Sequence, residues 1–127
     1  AKQDELGEAT AKLIAQHAED PAAFPYLNKT VLLSGPRALS LNETADVFSR
    51  VLNKSIKVCQ VDVDEYVKQP QVQNGLTYGG GNWAPLWATA FDGIRDGECA
   101  AVTPNLAQIL GREPEQFETT IRNMLST

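Results

Sequence analysis

The sequence predicts an α/β fold with a small parallel strand pair and about five helices. Two short aliphatic and β-branched runs, Thr30–Ser34 and Ile56–Val61, read as strands. Between them lies a helical repeat that opens on a capping box. Further helical patterns precede and follow this strand–helix–strand unit, and Gly and Pro punctuate them.

Asp4 is placed to cap a first helix running to about His17, with Leu6, Ala9, Leu13 and Ile14 inward and Glu8–Lys12 as an outward i, i+4 pair. Pro21 and Pro25 bracket a turn that Phe24, Tyr26 and Leu27 pin to the core. Gly35-Pro36 stops the first strand. In Ser40-Leu41-Asn42-Glu43, the hydroxyl accepts the Glu43 N–H and the carboxylate reaches back to the Ser40 N–H. Leu41, Ala45, Phe48 and Leu52 follow on one face, with Asn53 as the left-handed residue after the helix. A β–α–β unit of this kind is expected to be parallel with a right-handed crossover.

Asp62 to Glu65 reads as a second capping box that opens a helix through Tyr66 and Val67. The same acidic run lacks the glycine and terminal glutamate of a calcium loop, so no metal site is expected. Gln69 to Pro85 is the least regular stretch, because Pro70, Gly75, Gly79–Gly81 and Pro85 forbid a long helix or strand. From Ala84 the pattern is helical again, with Trp87, Ala90, Phe91 and Ile94 on a face suited to core packing and Gly97 at its end. Thr103-Pro104 reads as N-cap and first helical residue, and Gly111 as a C-cap. Pro114 precedes a last helix with Phe117, Ile121, Met124 and Leu125 apolar.

Composition narrows the function. The chain has 127 residues, 43% of them hydrophobic, enough for a single domain spanning residues 1–127. Its net charge of −5, from 11 basic and 16 acidic residues, and its scattered lysines argue against nucleic acid as a partner. No apolar run approaches a membrane span. His17 is the lone histidine and has no neighbour to make it a catalytic base. For Cys59 and Cys99 the sequence leaves a disulfide open, since it does not set their separation, and favours buried or half-buried intracellular thiols. The loop SGPRALS offers neither the glycines nor the free N–H groups of a dinucleotide or phosphate site.

The stretch KTVLLSGPRALSLNETADVFSRVLNKSIKVCQVDVDEYVK, Lys29 to Lys68, resembles the C-terminal half of NmrA-like proteins. These are atypical short-chain dehydrogenases that include type 2 NAD(P)H:quinone oxidoreductases. DELGEATAKLIA (Asp4–Ala15), WATAFDGIRDGECA (Trp87–Ala100) and LAQILGREPEQFETTI (Leu106–Ile121) agree in order. Each motif alone is loose; their shared order and spacing over nearly the whole chain make the likeness fairly specific. Asn53 stands where Gly is common, and Glu115 where a Ser or Thr cap is expected.

The resemblance implies the substrate domain of an extended or atypical short-chain dehydrogenase whose N-terminal Rossmann half, with its Gly-rich loop, is missing here. No G-x-x-G-x-x-G and no Y-x-x-x-K occurs. The expected function is that of a C-terminal fragment forming part of a quinone or carbonyl acceptor pocket and inactive alone. No catalytic or cofactor-binding residue is expected in the chain, and NADP or NAD belongs to the full-length parent. The other class the resemblance allows is an NAD(P)-sensing regulator whose C-terminal domain binds a protein partner. Tyr78, Asn82, Trp83 and Trp87 are the candidate acceptor contacts, since a glycine run beside large aromatics suits a loop that covers a ligand. The expected partners are the missing Rossmann half and a second copy, through an exposed apolar face. The expected location is cytoplasmic.

Overall fold

A computed structural model describes residues 1–126. Most of the ordered secondary structure is helical: α1 (Gln3–Glu19), α2 (Leu41–Leu52), α3 (Val63–Lys68), α4 (Pro70–Leu76), α5 (Ala84–Ala88), α6 (Ala90–Arg95), α7 (Asn105–Leu110) and α8 (Phe117–Leu125). One antiparallel pair, β1 (Thr77–Tyr78) and β2 (Gly81–Asn82), stands between α4 and α5. The helices are shorter and more numerous than expected, because Pro70, Thr89 and Gly97 cut the chain into one- and two-turn pieces. Two compact units result: Ala1–Ile56 with the chain from Ala101 onward, and Lys57–Ala100.

The parallel strand pair does not form. Neither Thr30–Ser34 nor Ile56–Val61 is a strand, and no Rossmann-type sheet occurs among the described residues. β-branched composition favours a pleated strand only where a neighbour completes the ladder. Side chains meet these segments instead. The Leu32 carbonyl accepts from Thr103 Oγ1 at 2.6 Å and Asn105 Nδ2 at 3.1 Å, and the Thr103 N–H donates to Ser34 Oγ at 2.8 Å. The Ile56 N–H donates to Ser49 Oγ at 3.0 Å. Thr103 thereby serves the 30–34 segment rather than capping α7, whose N-cap is Pro104.

In the first unit α1 packs on α7, with Ala9, Leu106 and Leu110 buried and Leu6, Leu33 and Ile109 against them. Lys2, not Asp4, is the N-cap of α1, and its side chain makes no capping bond. Ile14 is exposed, so the buried stripe runs through Glu5, Ala9 and half-buried Leu13. α2 packs on α8, with an edge-to-face contact of Phe48 with Phe117 at 6.0 Å, and buries Ala45 and Val47. Arg50 donates to Glu118 at 2.7 Å. That bond, followed by the one from Arg122, holds the Glu118 carboxyl down at about 2.

The capping box of α2 forms as the sequence requires. Glu43 N–H donates to Ser40 Oγ at 3.1 Å, Ser40 N–H donates to Glu43 Oε2 at 2.8 Å, and Asn53 closes the helix at φ 51°. Ser40→Ala is expected to cost about 1 kcal/mol, the usual loss of an N-cap hydroxyl. A denaturant midpoint equal to wild type would show that the box contributes nothing.

In the second unit α3 packs on α4 and α5, and α5 on α6. Asp62 Oδ1 accepts the Glu65 N–H at 2.8 Å, one half of the expected box. The buried residues are Ala84 and Ala88, while Trp87, Phe91 and Ile94 are exposed. The aromatic face expected in the core therefore faces outward. Cys59 and Cys99 are free and exposed, not buried, because no strand turns Cys59 toward apolar neighbours. No helix among the described residues is long and apolar enough to cross a membrane.

Candidate functional site

Gln69 to Pro85 is more ordered than its glycines and prolines suggest. Pro70 opens α4, a first-turn position where its missing N–H costs nothing. Gly79 and Gly80 follow β1 with φ of 59° and 77°. A two-residue hairpin turn with both central residues left-handed matches the twist of its strands, and glycine adopts it without strain. The glycine run is thus a tight turn rather than an open loop.

The hairpin places three of the four candidate residues together. Thr77 faces Asn82 and Tyr78 faces Gly81 across the pair. The Trp83 N–H donates to the Leu76 carbonyl at 2.8 Å, continuing the pairing by one step. The Trp83 indole folds back, with Nε1 donating to the Tyr78 carbonyl at 3.2 Å. The Tyr78 and Trp83 rings lie 6.0 Å apart at a tilt of 36°. A Cβ on Gly81 would come within 3.0 Å of the indole, so only glycine lets the ring rest there unshifted. Asn82 Oδ1 accepts the Ala84 N–H at 3.1 Å, a local bond that starts α5.

Trp87 follows one helical turn later, its N–H donating to the Trp83 carbonyl at 2.9 Å. Among the described residues no ring contact joins it to the other two. Tyr78, Trp83 and Trp87 remain 59%, 40% and 53% exposed. All three are exposed side chains on an ordered backbone, the Trp83 indole resting against Gly81. Tyr66 of α3 meets Phe91 of α6 edge-on at 5.5 Å.

A second constellation, in the other unit, escaped the reading of the sequence. Lys2, Asp4, Glu5, Glu8, Arg112, Glu113 and Glu115 line an open recess of about 380 Å³. Glu5 is 6% exposed, and its Oε1 accepts from Arg112 at 3.3 Å and from the Glu115 N–H at 2.9 Å. Its Oε2 is buried with no hydrogen-bond partner among the described residues. Arg112 also reaches Glu8 at 2.6 Å, and Lys12 reaches Glu8 at 2.9 Å and the Leu110 carbonyl at 2.8 Å. The Lys12 bond, then Arg112, holds the Glu8 carboxyl below its ordinary range. Thr120, then Lys2, does the same for Glu115. The signal for this cluster was present: Glu5 lies four residues before Ala9, on the stripe that turns inward.

The recess clamps the end of α7 and the chain after it to α1, and its charges are largely spent on one another. No group of three or more His, Cys, Asp or Glu among the described residues could hold a metal ion. No family model, curated protein or solved structure matches this chain.

Proposed function

We propose that this chain is the acceptor-side part of an NAD(P)H-dependent oxidoreductase and supplies one wall of a pocket for a quinone or related planar carbonyl compound. The observation that carries the reading is the Tyr78–Trp83 pair, held together by the hairpin and yet exposed. The ordered motifs from Asp4 to Ile121 support it from the sequence. The nicotinamide, held by a Rossmann half outside these residues, supplies the hydride. Quinone, NAD(P)H and one proton give hydroquinone and NAD(P)⁺. Tyr78, Trp83 and Trp87 stack the acceptor, and Asn82 meets its edge. Partnership with the Rossmann half or with a second copy draws on apolar side chains left outside the core of the first unit, among them Leu27 and Leu32. A cytoplasmic site suits a reaction that consumes NAD(P)H.

Quinone-dependent NAD(P)H oxidation by the polypeptide carrying both halves tests this. Trp83→Ala should raise the KM for the acceptor about three- to tenfold, the worth of one aromatic contact, and leave the KM for the dinucleotide unchanged. An unchanged acceptor KM in a variant with intact circular dichroism would overturn that contact. The exposed helical side chains Ile14, Leu41, Leu52 and Leu125 favour a second reading, a dinucleotide sensor that binds a protein partner through these faces. Absence of turnover with every quinone would favour it.

A further inference from the structure

We infer that Lys57–Ala100 is a docking unit for a cationic, apolar polypeptide segment, which supplies the core that the unit lacks. Ala84 and Ala88 are its only buried residues, so no side chain larger than a methyl group is fully withdrawn from water there. Val63, Leu86, Trp87, Phe91 and Ile94 are all at least 38% exposed. The other unit, by contrast, buries Val47, Leu106 and Leu110. Burial of large apolar side chains is the main favourable term in folding. A unit of short helices that leaves them in water is stabilised when a partner covers them.

Charge decides what the partner is. The unit carries twice as many carboxylates as cations: Asp62, Asp64, Glu65, Asp92, Asp96 and Glu98 against Lys57, Lys68 and Arg95. In the other unit Glu5, Glu8, Glu43, Glu115 and Glu118 each meet a Lys or Arg. Here, among the described residues, only Asp92 does, at 2.7 Å from Arg95. Asp62 is engaged in capping α3. Asp64, Glu65, Asp96 and Glu98 are left over, and they stand next to the exposed apolar side chains. Asp64 and Glu65 follow Val63 in the first turn of α3. Asp96 ends α6, and Glu98 Oε2 lies 2.9 Å from where a Cβ on Gly93 would stand, one residue before Ile94. The Tyr66–Phe91 contact joins the two helices. A second copy would bring the same surplus of carboxylates to the contact, and an anionic bilayer or a nucleic acid would be repelled as well. A segment that mixes apolar residues with Lys or Arg satisfies both the apolar side chains and the carboxylates.

Both tryptophans of the chain, Trp83 and Trp87, lie in this unit, so indole fluorescence reports on it alone. The 127-residue chain is titrated with an amphipathic helical peptide of leucine and lysine, free of aromatic residues, and with the same peptide carrying glutamate for lysine. In the free chain the amides of α3 to α6 should exchange faster than those of α1 and α7. The lysine peptide should move the emission to shorter wavelength and slow that exchange, with an affinity that falls as salt is raised. The glutamate peptide should bind at least about tenfold more weakly. Replacing Asp64 and Asp96 by Asn and Glu65 and Glu98 by Gln, all in one variant, should weaken the lysine peptide about tenfold, the summed worth of four exposed charge contacts. Glu19→Gln and Asp46→Asn in the other unit should change nothing. Equal binding of the two peptides, binding of neither, or an unchanged affinity in the four-site variant overturns the inference. So does dimerisation that Ile94→Ser abolishes, which would make the occupant a second copy, or an emission shift on phosphatidylserine vesicles, which would make it a bilayer.

Discussion

Leu106→Ala should lower the stability of the unit that holds α1 and α7 by about 3 kcal/mol, the middle of the range for emptying a filled core site. Leu106 is fully buried, and the cluster around it is small: Ala9 and Leu110 with Leu6, Leu33 and Ile109. Ala9 has no side chain that could swing into the gap. Leu110 sits one turn along the same short helix, so α7 cannot rotate to close the hole without withdrawing it. A domain of this size has a total stability of only about 5–10 kcal/mol, so the loss is a large share. Amide exchange read along α1 should rise by two orders of magnitude or so, as the free-energy change requires. Ile109→Ala, on the half-buried side of α7, should cost clearly less. Equal costs for the two would mean that the cluster is not the packing centre of the unit.

What could be read from the sequence was local. The Ser40 capping box, Asn53 and Gly111 as left-handed caps, Asp62 at the head of α3 and the Glu8–Lys12 pair all depend on residues within a few positions of one another, and all form. The strands failed because a strand is not a local object. Val31 to Leu33 have the right side chains, but a ladder needs a second backbone, and Thr103 and Asn105 take the hydrogen-bonding role here. The hairpin was missed for the opposite reason. Gly79-Gly80 was read as slack, although two left-handed residues in succession are what a two-residue turn requires. Trp87 lies on α5 and Phe91 and Ile94 on α6, and periodicity does not say which side of either helix is buried. The small Ala84 and Ala88 allow close approach and take the inner side. The sequence singled out Tyr78, Asn82, Trp83 and Trp87 but not their arrangement, since the Trp83 fold-back depends on Gly81 having no Cβ.

The second large effect is expected at Arg112. Its guanidinium joins two carboxylates that differ in burial: Glu5, with 8% of its side chain exposed, and Glu8, with 39%. The shorter contact, 2.6 Å to Glu8, is the less important one, because both partners there stay hydrated and an exposed pair contributes under about 1 kcal/mol. The 3.3 Å contact to Glu5 matters more, because it offsets a charge that water does not reach. Arg112→Ala would leave Glu5 with the Glu115 N–H as its one remaining donor, beside an Oε2 that already has none. The cost should be about 2 kcal/mol, below that of a fully buried pair because Arg112 itself is half-exposed. Glu8→Gln should be nearly silent. The decisive variant is Glu5→Gln placed in the Arg112→Ala background. The amide keeps an oxygen for the Glu115 N–H and removes the stranded charge, so part of the lost stability should return even though a further native side chain has been replaced. Urea midpoints of the three variants against wild type measure this. If Arg112→Ala proves no costlier than Glu8→Gln, or if Glu5→Gln lowers stability further in that background, then burial of the Glu5 charge is not what makes the clamp strong, and the surface pair with Glu8 must carry it instead.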